Sequence, residues 1–201
     1  MNPARFERAM ALIDAANAED PHQVILNGKS VAKELAYSLR MSEMLDRFAP
    51  DAPDAMKLAA RAQHIRRWMI PRNAYPMTTA GYKQWRTTLY GFHADLAGDF
   101  LGQAGYDEAI VARVKTAIAK KQMASNADTR LLEDVAALVF LEHYMADFAA
   151  GHPDYDEAKW LGIIRKTWLK MTEAARSFAL SGAVRLPQPL MPLIEKAVSS
   201  P

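Results

Sequence analysis

Three ionisable residues lie where apolar residues are expected, each on a different predicted helix. A helix advances about 100° per residue, so the residues that share a face can be counted from the sequence. Glu34 lies in line with the apolar stripe of one helix, and His93 and Asp134 lie on similar stripes of two later helices. Burying an ionised carboxylate is costly unless it is paired, hydrogen-bonded or bound to a metal. We therefore expect the three side chains to face one shared pocket.

A histidine among arginines follows in the stretch AARAQHIRRWMIPR, residues 59–72. The helix face predicted for His64 is half basic and half apolar, which suits a pocket rim better than a dry core. Between Asp54 and Asp95 there is no acidic residue, whereas that window holds seven basic ones. A local positive field of this kind favours anions, and forked arginine side chains hold phosphate well. The predicted substrate-binding residues are Arg66, Arg67, Arg72, Arg86 and Trp68, the last as a ring on which a base can stack.

Each of these residues also has a purely structural interpretation. A buried histidine or aspartate often bonds a backbone carbonyl or pairs with an arginine. His64 can be a surface residue near a helix C-terminus, where the helix dipole favours its charged form. The arginines can form a solvated basic face, although the absence of acids across this window argues against ordinary surface pairing.

The elements that must position these residues are predicted to be helical throughout, with no strand. We expect the segment EDPHQVILNGKS and residues 69–77 to be loops, and the chain after Gly182 to pack loosely. The predicted helices cover about 3–16, 31–48, 54–68, 79–105, 108–121, 129–150 and 156–180, with at most a short helix at 190–198. Their predicted N-terminal caps are Ser30, Asp54, Thr78, Asp107 and Asp128. Gly105 is the predicted left-handed stop of the fourth helix.

Length and composition narrow the class of protein. The chain of 201 residues is expected to form one all-α domain over 1–181, with a proline-containing tail over 182–201. The absence of cysteine excludes disulfides, thiolate zinc sites and a thiol nucleophile. No apolar run approaches the roughly 18 residues that span a membrane, and the first residues lack a signal-peptide core. These features predict a cytoplasmic protein without membrane contact, and they leave the oligomeric state open.

The ionisable residues are similar in order and spacing to those of the HD-domain superfamily of metal-dependent phosphohydrolases. The likeness covers about residues 30–150, and FHADLAGDFLGQAGYDEAIVARVKTAIAKK resembles the helix-turn-helix of that family. It implies an HD-like bundle of about seven helices. Two positions depart from the pattern, because Glu34 stands where the first histidine would be and Ile65 stands where the aspartate of the His-Asp pair would be. The residues that carry the likeness are Glu34, His64, His93 and Asp134.

This resemblance implies a single-metal site with those four residues as ligands. Mixed imidazole and carboxylate ligands suit manganese, iron or zinc. Such a metal would lower the pKa of a bound water and polarise a phosphoryl oxygen, with Glu34, His64 and Asp134 as catalytic residues. Without a metal, a carboxylate of this set could serve as the base. A purely electrostatic pocket is the remaining alternative.

Longer motifs resemble a second family over about residues 4–180. The segments RFERAMALIDAANAEDP, ELAYSLRMSEML, LAARAQHIRRWMIPRNAYP and LEDVAALVFLEHYMADFA are similar, in that order, to the domain of unknown function 4202. This resemblance implies a shared fold and a shared site. It implies no established activity.

Three functions are compatible with these residues. The first is a metal-dependent phosphohydrolase that acts on a nucleotide or another phosphorylated small molecule. The second is a non-catalytic nucleotide- or RNA-binding module, because basic and aromatic residues are interleaved after His64. The third is a structural or partner-docking protein with a degenerate HD-like core, in which Glu34 and Asp134 would pair with Arg61 or Arg86.

Overall fold

The fold is mostly helical, as predicted, and a computed structural model describes residues 3–199. Within this range there are ten α-helices, so the predicted number of about seven was wrong. These residues form two compact units that divide between Leu132 and Glu133. The α-helices are α1 (Pro3–Ala18), α2 (Lys33–Phe48), α3 (Asp54–Ala62), α4 (Thr79–Gln103), α5 (Glu108–Ile118), α6 (Ala127–Val139), α7 (Met145–Ala150), α8 (Glu157–Lys170), α9 (Glu173–Leu180) and α10 (Met191–Val198). The strands are β1 (Gln23–Leu26) and β2 (Lys29–Ala32). The domain boundary predicted at residue 181 stays a prediction.

The core of the first unit lies between helices that present long apolar side chains to one another. The α1, α2 and α3 helices pack together, and α4 lies along α5. Each fully buried side chain of this kind contributes about 1.5–3 kcal/mol relative to an exposed one. The largest of them are Ile13, Met41, Met44, Leu45, Met56, Leu58, Leu89, Leu101 and Ile118. This core holds in place α2 and α4, which carry Glu34 and His93, and α3, which is followed by the turn with His64.

The segment predicted to be a loop before α2 is a β-hairpin, so the prediction of no strand was wrong. The β1 and β2 strands pair antiparallel, with Leu26 opposite Lys29. The two residues between them, Asn27 and Gly28, have φ angles of 51° and 75°. Positive φ at both central residues is typical of the turns that join tight hairpins, and Asn-Gly is a strong signal for them. Because β2 extends to Ala32, α2 begins at Lys33. Ser30 therefore lies in β2 and does not cap the helix.

Replacing Gly28 with alanine is expected to destabilise the protein by about 1 kcal/mol, because a β-carbon disfavours a left-handed backbone. No atom lies within 4 Å of the added β-carbon, so the cost is conformational and not steric. Urea denaturation measures the change. The control is Gly91→Ala, in the middle of α4 with equally open space, where alanine should stabilise the helix. Equal effects at the two positions would contradict the turn assignment.

The third helix ends at Ala62 and not near Trp68, because tertiary hydrogen bonds capture the backbone that would continue it. The carbonyl of Ile65 accepts a hydrogen bond from His93, and the N–H of Arg66 donates to Asn17. Arg66 adopts a left-handed φ of 50°. Residue 64 therefore lies in a turn, and the helix face predicted for it was wrong.

The predicted limits of α4 are confirmed, as is the predicted cap of α5. The hydroxyl of Thr78 accepts from the N–H of Gly81, and the carboxylate of Asp107 accepts from the N–H of Ile110. Gly105 follows α4 with a left-handed φ of 89°. The predicted cap at Asp54 was wrong, since Asp54 is the first residue of α3. The predicted cap at Asp128 was also wrong, as the following contacts show.

At the start of α6 the capping side chain belongs to Asn126, whose amide oxygen accepts from the N–H of Thr129. The carboxylate of Asp128 instead accepts two hydrogen bonds from Arg113, at 2.5 and 3.0 Å. Asn126 therefore caps α6 in place of Asp128, because the carboxylate of Asp128 is bound to Arg113.

The helix predicted to reach residue 150 is observed as α6, a π-helical segment over Phe140–Tyr144, and α7. The helix predicted over 156–180 is divided into α8 and α9 at Met171 and Thr172. The tail was predicted to pack loosely, which was wrong: α10 packs on α8 and buries Ile194. None of the helices within residues 3–199 combines the length and hydrophobicity of a transmembrane span.

Candidate functional site

The first unit brings three of the predicted site residues together. Glu34 comes from the first turn of α2, His64 from the turn after α3, and His93 from the middle of α4. The Oε2 atom of Glu34 lies 3.7 Å from Nδ1 of His64, which is longer than a hydrogen bond. The rings of His64 and His93 are 5.7 Å apart. Glu34 and His93 are buried, as their positions on the apolar stripes predicted.

The turn that carries His64 is held on both sides by buried polar side chains. Nδ1 of His93 lies 2.8 Å from the carbonyl oxygen of Ile65. The amide oxygen of Asn17, at the end of α1, accepts from the N–H of Arg66 at 3.1 Å. These bonds offset the cost of the left-handed backbone at Arg66, which is of order 1–2 kcal/mol for a residue with a β-carbon. The backbone of this turn is therefore held in place by hydrogen bonds from two other helices.

The imidazole of His64 is held between an aromatic ring and a guanidinium. Tyr37 stacks on it with ring centroids 4.0 Å apart and an angle of 12° between the planes. The hydroxyl of Tyr37 donates to the buried side chain of Gln63 at 2.6 Å. Nη1 of Arg67 lies 3.4 Å from Nε2 of His64. Because arginine only donates, Nε2 is the acceptor and the proton of neutral His64 lies on Nδ1, which faces Glu34.

Both histidines are neutral at pH 7. The pKa of His93 is lowered to about 3, chiefly by burial and also by the charge of Arg67, while the hydrogen bond to Ile65 acts in the opposite direction. Burial also lowers the pKa of His64 well below its ordinary value, and the nearby cations Arg67, Lys120 and Arg86 act in the same direction. The Nδ1–H of His93 therefore donates to Ile65, and its buried Nε2 keeps a lone pair without a hydrogen-bond partner.

The pKa of Glu34 is shifted in the opposite direction from those of the two histidines. Its pKa is raised to about 7, chiefly by burial and also by the charge of Asp20, while the charge of Arg67 acts in the opposite direction. A carboxyl group with this pKa exchanges its proton near neutral pH, as a general acid or base does. Glu34 is therefore the residue of this cluster best suited to proton transfer.

Asp20 was not predicted as a site residue, although it is buried beside Glu34. Its carboxylate accepts from the N–H of Glu34 at 3.0 Å and from the N–H and Nδ1 of His22 at 3.0 and 2.7 Å. It thus joins the start of the hairpin to the N-terminus of α2. The Asn27-Gly28 turn signal could have revealed it, because recognising the hairpin places residues 20–22 next to the helix that follows.

The arginines of the predicted anion site have different environments. Arg66 pairs with Glu19 at 2.7 Å, and Arg72 donates to the carbonyls of Tyr75, Pro76 and Thr78. Arg61 forms two hydrogen bonds to Asp14. The structural alternative paired Arg61 with Glu34 or Asp134, and its partner is instead Asp14. The guanidinium groups of Arg66 and Arg72 therefore have protein partners, and their roles in substrate binding stay predictions.

The guanidinium of Arg67 has a different environment from those of Arg61, Arg66 and Arg72. Its guanidinium lies over the ring of Trp85, 4.7 Å from the centroid, and contacts His64. Within residues 3–199 it forms no ion pair with a carboxylate. Arg67 is half-buried, and the one side-chain contact of its guanidinium that the structure describes, other than the ring of Trp85, is with Nε2 of His64. Arg67 is therefore the predicted arginine best placed to bind an anion.

Two further residues were predicted to bind the substrate, Arg86 and Trp68. Arg86 lies over the rings of Tyr82 and Tyr90, 5.7 and 5.4 Å from their centroids. Trp68 is half-buried in the 3-10 turn Arg67–Met69. Their roles in ligand binding stay predictions.

Asp134 is described in the second unit, where it is 3% exposed. Its carboxylate accepts from the N–H and the hydroxyl of Thr172 at 2.8 and 2.6 Å. Thr172 in turn caps α9. These contacts give the buried carboxylate a structural role.

The metal ligands implied by the HD-like pattern do not form a metal centre among the described residues. No group of three or more His, Asp or Glu side chains is arranged there to hold a metal ion. One reason is visible at His64, whose Nε2 faces a guanidinium and whose Nδ1–H faces Glu34. Metal binding stays a prediction.

Comparison with known proteins assigns the family. No match was found among curated proteins or among solved structures. A family model described as Domain of unknown function (DUF4202) matches residues 7–194, which covers most of each unit. This match confirms the resemblance of the long motifs to that family. The chain belongs to the DUF4202 family.

Proposed function

We propose that this protein binds a phosphorylated small molecule, such as a nucleotide, at Arg67 and hydrolyses its phosphate ester with Glu34 as the base. The single observation that carries the proposal is the half-buried Arg67, which has no carboxylate partner within residues 3–199 and contacts His64, a half-buried ring whose Nδ1 lies 3.7 Å from the buried Glu34. A guanidinium in this setting forms short, charge-assisted bonds to phosphate oxygens.

The neutral histidines support an anion site of low polarity. His64 and His93 add no positive charge of their own, so Arg67 dominates the local field. Partial exclusion of water strengthens the interaction of a guanidinium with an anion. The contact of Arg67 with the ring of Trp85, 4.7 Å from Cζ to the ring centroid, holds the guanidinium beside His64.

Glu34 supplies the proton transfer. In the hydrolytic step a water oxygen forms a bond to phosphorus, and ionised Glu34 takes the water proton. The bond between phosphorus and the ester oxygen breaks, and the leaving alcohol takes a proton from solvent. A base with a pKa near 7 is half ionised at neutral pH, which suits both proton uptake and release.

The resemblance to HD-domain phosphohydrolases supports hydrolysis, and the HD-like fold is part of this proposal. The metal-dependent form of the reaction, with manganese, iron or zinc, is tested by elemental mass spectrometry on protein purified without chelator. A stoichiometric metal that is lost in His64→Ala would establish the metal-dependent form. A metal-free protein that retains activity would establish the form with Glu34 alone.

The decisive experiment is a hydrolysis assay on a panel of nucleotides and sugar phosphates. General base catalysis contributes about 10²–10⁴-fold, so Glu34→Gln should lose about this factor in rate. The control is Glu43→Gln, an exposed acid on the same helix, which should leave the rate unchanged. Equal rates for the two variants would refute the role of Glu34.

Anion binding is expected to weaken as the pH rises through about 7. Glu34 is then converted from a neutral acid to a carboxylate, which repels an anion at Arg67. Sulfate is the suitable probe, because it stays a dianion throughout this range. Two unit charges about 8–16 Å apart at an effective dielectric constant of about 20 interact by about 1–2 kcal/mol, so the affinity should fall by roughly tenfold or more. Calorimetric titrations at pH 6 and pH 8 measure this change, and Glu34→Gln should abolish it.

A non-catalytic RNA-binding module is the second candidate, favoured by the exposed ring of Tyr82 between Arg72 and Arg86. Broad contact with a nucleic-acid backbone gives a steep dependence of affinity on salt, whereas a small pocket gives a shallow one. Titration of a single-stranded RNA at two salt concentrations distinguishes the two functions.

A further inference from the structure

Tyr82 presents an exposed aromatic ring close to the proposed phosphate site. It lies in the first turn of α4 and is 43% exposed. Its ring centroid is 5.9 Å from that of Trp85, and the guanidinium of Arg67 lies 4.7 Å from the same Trp85 centroid. The distance between the Tyr82 ring and the Arg67 guanidinium therefore cannot exceed these two distances added together. One indole thus separates an exposed ring from the arginine that we propose to bind phosphate.

The contacts of Tyr82 leave part of its side chain open to a ligand. The guanidinium groups of Arg72 and Arg86 lie 5.9 and 5.7 Å from its ring centroid, and the exposed fraction already takes both neighbours into account. The adjacent ring of Trp85 is only 8% exposed, and its Nε1–H donates to the carbonyl of Ile70 at 2.8 Å. Of these two rings, Tyr82 is therefore the one that a ligand can reach.

Two more apolar side chains are exposed in the segment that follows Arg67. Met69 is 57% exposed and Met77 is 78% exposed. Among residues 3–199 seven large apolar side chains are exposed, and three of them, Met69, Met77 and Tyr82, come from residues 69–82. Exposed apolar surface that is concentrated in one segment is typical of a site for the apolar part of a ligand or partner. The segment after Arg67 thus offers apolar and aromatic contacts beyond the phosphate.

From these contacts we infer that the ligand is a nucleotide whose base stacks on Tyr82 while its phosphate binds Arg67. The inference rests on the proposed phosphate site and specifies its ligand class, because a sugar phosphate has no aromatic group. Every nucleobase has a π face that can stack on an aromatic side chain. A nucleoside monophosphate joins its base to its phosphate through one ribose, which suits a ring and a guanidinium that are separated by one indole. The leaving alcohol of the proposed reaction is then a nucleoside.

Calorimetric titrations with adenosine 5′-monophosphate (AMP), ribose 5-phosphate and inorganic phosphate test the inference. The full chain is used with the Glu34→Gln change in every sample, so that the esters are not consumed. AMP should bind at least about fivefold more tightly than ribose 5-phosphate, because stacking of a base on an aromatic side chain contributes this factor or more. Tyr82→Leu should reduce the affinity for AMP to that for ribose 5-phosphate and leave the other two affinities unchanged. Tyr82→Phe is the matched control, since it keeps the ring and should keep the preference.

The NMR signals of the adenine protons separate stacking from a purely structural role of Tyr82. Protons of a base that lies over a tyrosine ring are shielded by the ring current, so their signals should move upfield when AMP binds. The upfield shift should be lost in Tyr82→Leu and kept in Tyr82→Phe. A ring that only supports the fold would produce no such shift.

Four outcomes would overturn the inference. If ribose 5-phosphate and inorganic phosphate bind but AMP binds no more tightly, the base subsite is absent while the proposed phosphate site stands. If the preference for AMP survives in Tyr82→Leu, another ring holds the base. If Tyr82→Leu weakens all three probes equally, Tyr82 only supports the structure of the site. If none of the probes binds, both the inference and the proposed phosphate site are wrong.

Discussion

Replacing Arg67 with glutamine is expected to weaken the binding of inorganic phosphate by about 10–100-fold. Charge-assisted hydrogen bonds contribute about 1.5–3 kcal/mol, and this guanidinium has no carboxylate partner within residues 3–199 to compete for its donors. The fold should persist, because Arg67 is only half-buried and its protein contacts are a ring and a histidine. Isothermal titration calorimetry measures the affinity, and circular dichroism checks the fold.

The adjacent Arg66 provides the control for this measurement. Its guanidinium pairs with Glu19, so Arg66→Gln should leave phosphate affinity almost unchanged. Arg72→Gln should also retain binding but lose stability, because its donors hold three carbonyls of the loop before α4. If the three variants weaken phosphate binding equally, the window acts as a diffuse basic surface and Arg67 has no special role.

Replacing Asp134 with alanine is expected to lower the free energy of unfolding by about 3 kcal/mol. The carboxylate is buried, and its removal leaves the N–H and the hydroxyl of Thr172 without their acceptor. An unsatisfied buried polar group costs about 1–3 kcal/mol. The same change weakens the cap that starts α9. Urea denaturation measures the effect. The midpoint urea concentration should fall, while the dependence of the unfolding free energy on urea concentration should stay the same.

Asp128→Ala is the matched control on the same helix. Its carboxylate pairs with a partly exposed arginine, Arg113, and exposed ion pairs contribute about 0–1 kcal/mol. Phosphate affinity distinguishes the structural role of Asp134 from its predicted role in a metal or catalytic site. If Asp134→Ala keeps its stability and loses phosphate or metal binding, the predicted site role is correct and the structural one is wrong.

The sequence by itself determined the features that depend on neighbouring residues. The helical class followed from periodicity. The cap at Thr78, the cap at Asp107 and the stop at Gly105 were correct because each acts within one turn of its own helix. The hairpin also depends on neighbouring residues, but its Asn27-Gly28 turn signal was overlooked and the segment was predicted to be a loop. The same periodicity predicted that Glu34 and Asp134 are buried, since burial follows from which face a residue occupies.

Only the tertiary structure decided which polar residues act together. Arg66 and Arg67 are neighbours in sequence, yet Arg66 has an ion-pair partner 47 residues away, while Arg67 faces His64. Asp134 bonds a residue 38 positions later. Helical periodicity indicates that a side chain is buried, but the partner that satisfies it is set by the packing of distant elements. The raised pKa of Glu34 likewise depends on the water excluded by that packing, which no local pattern records.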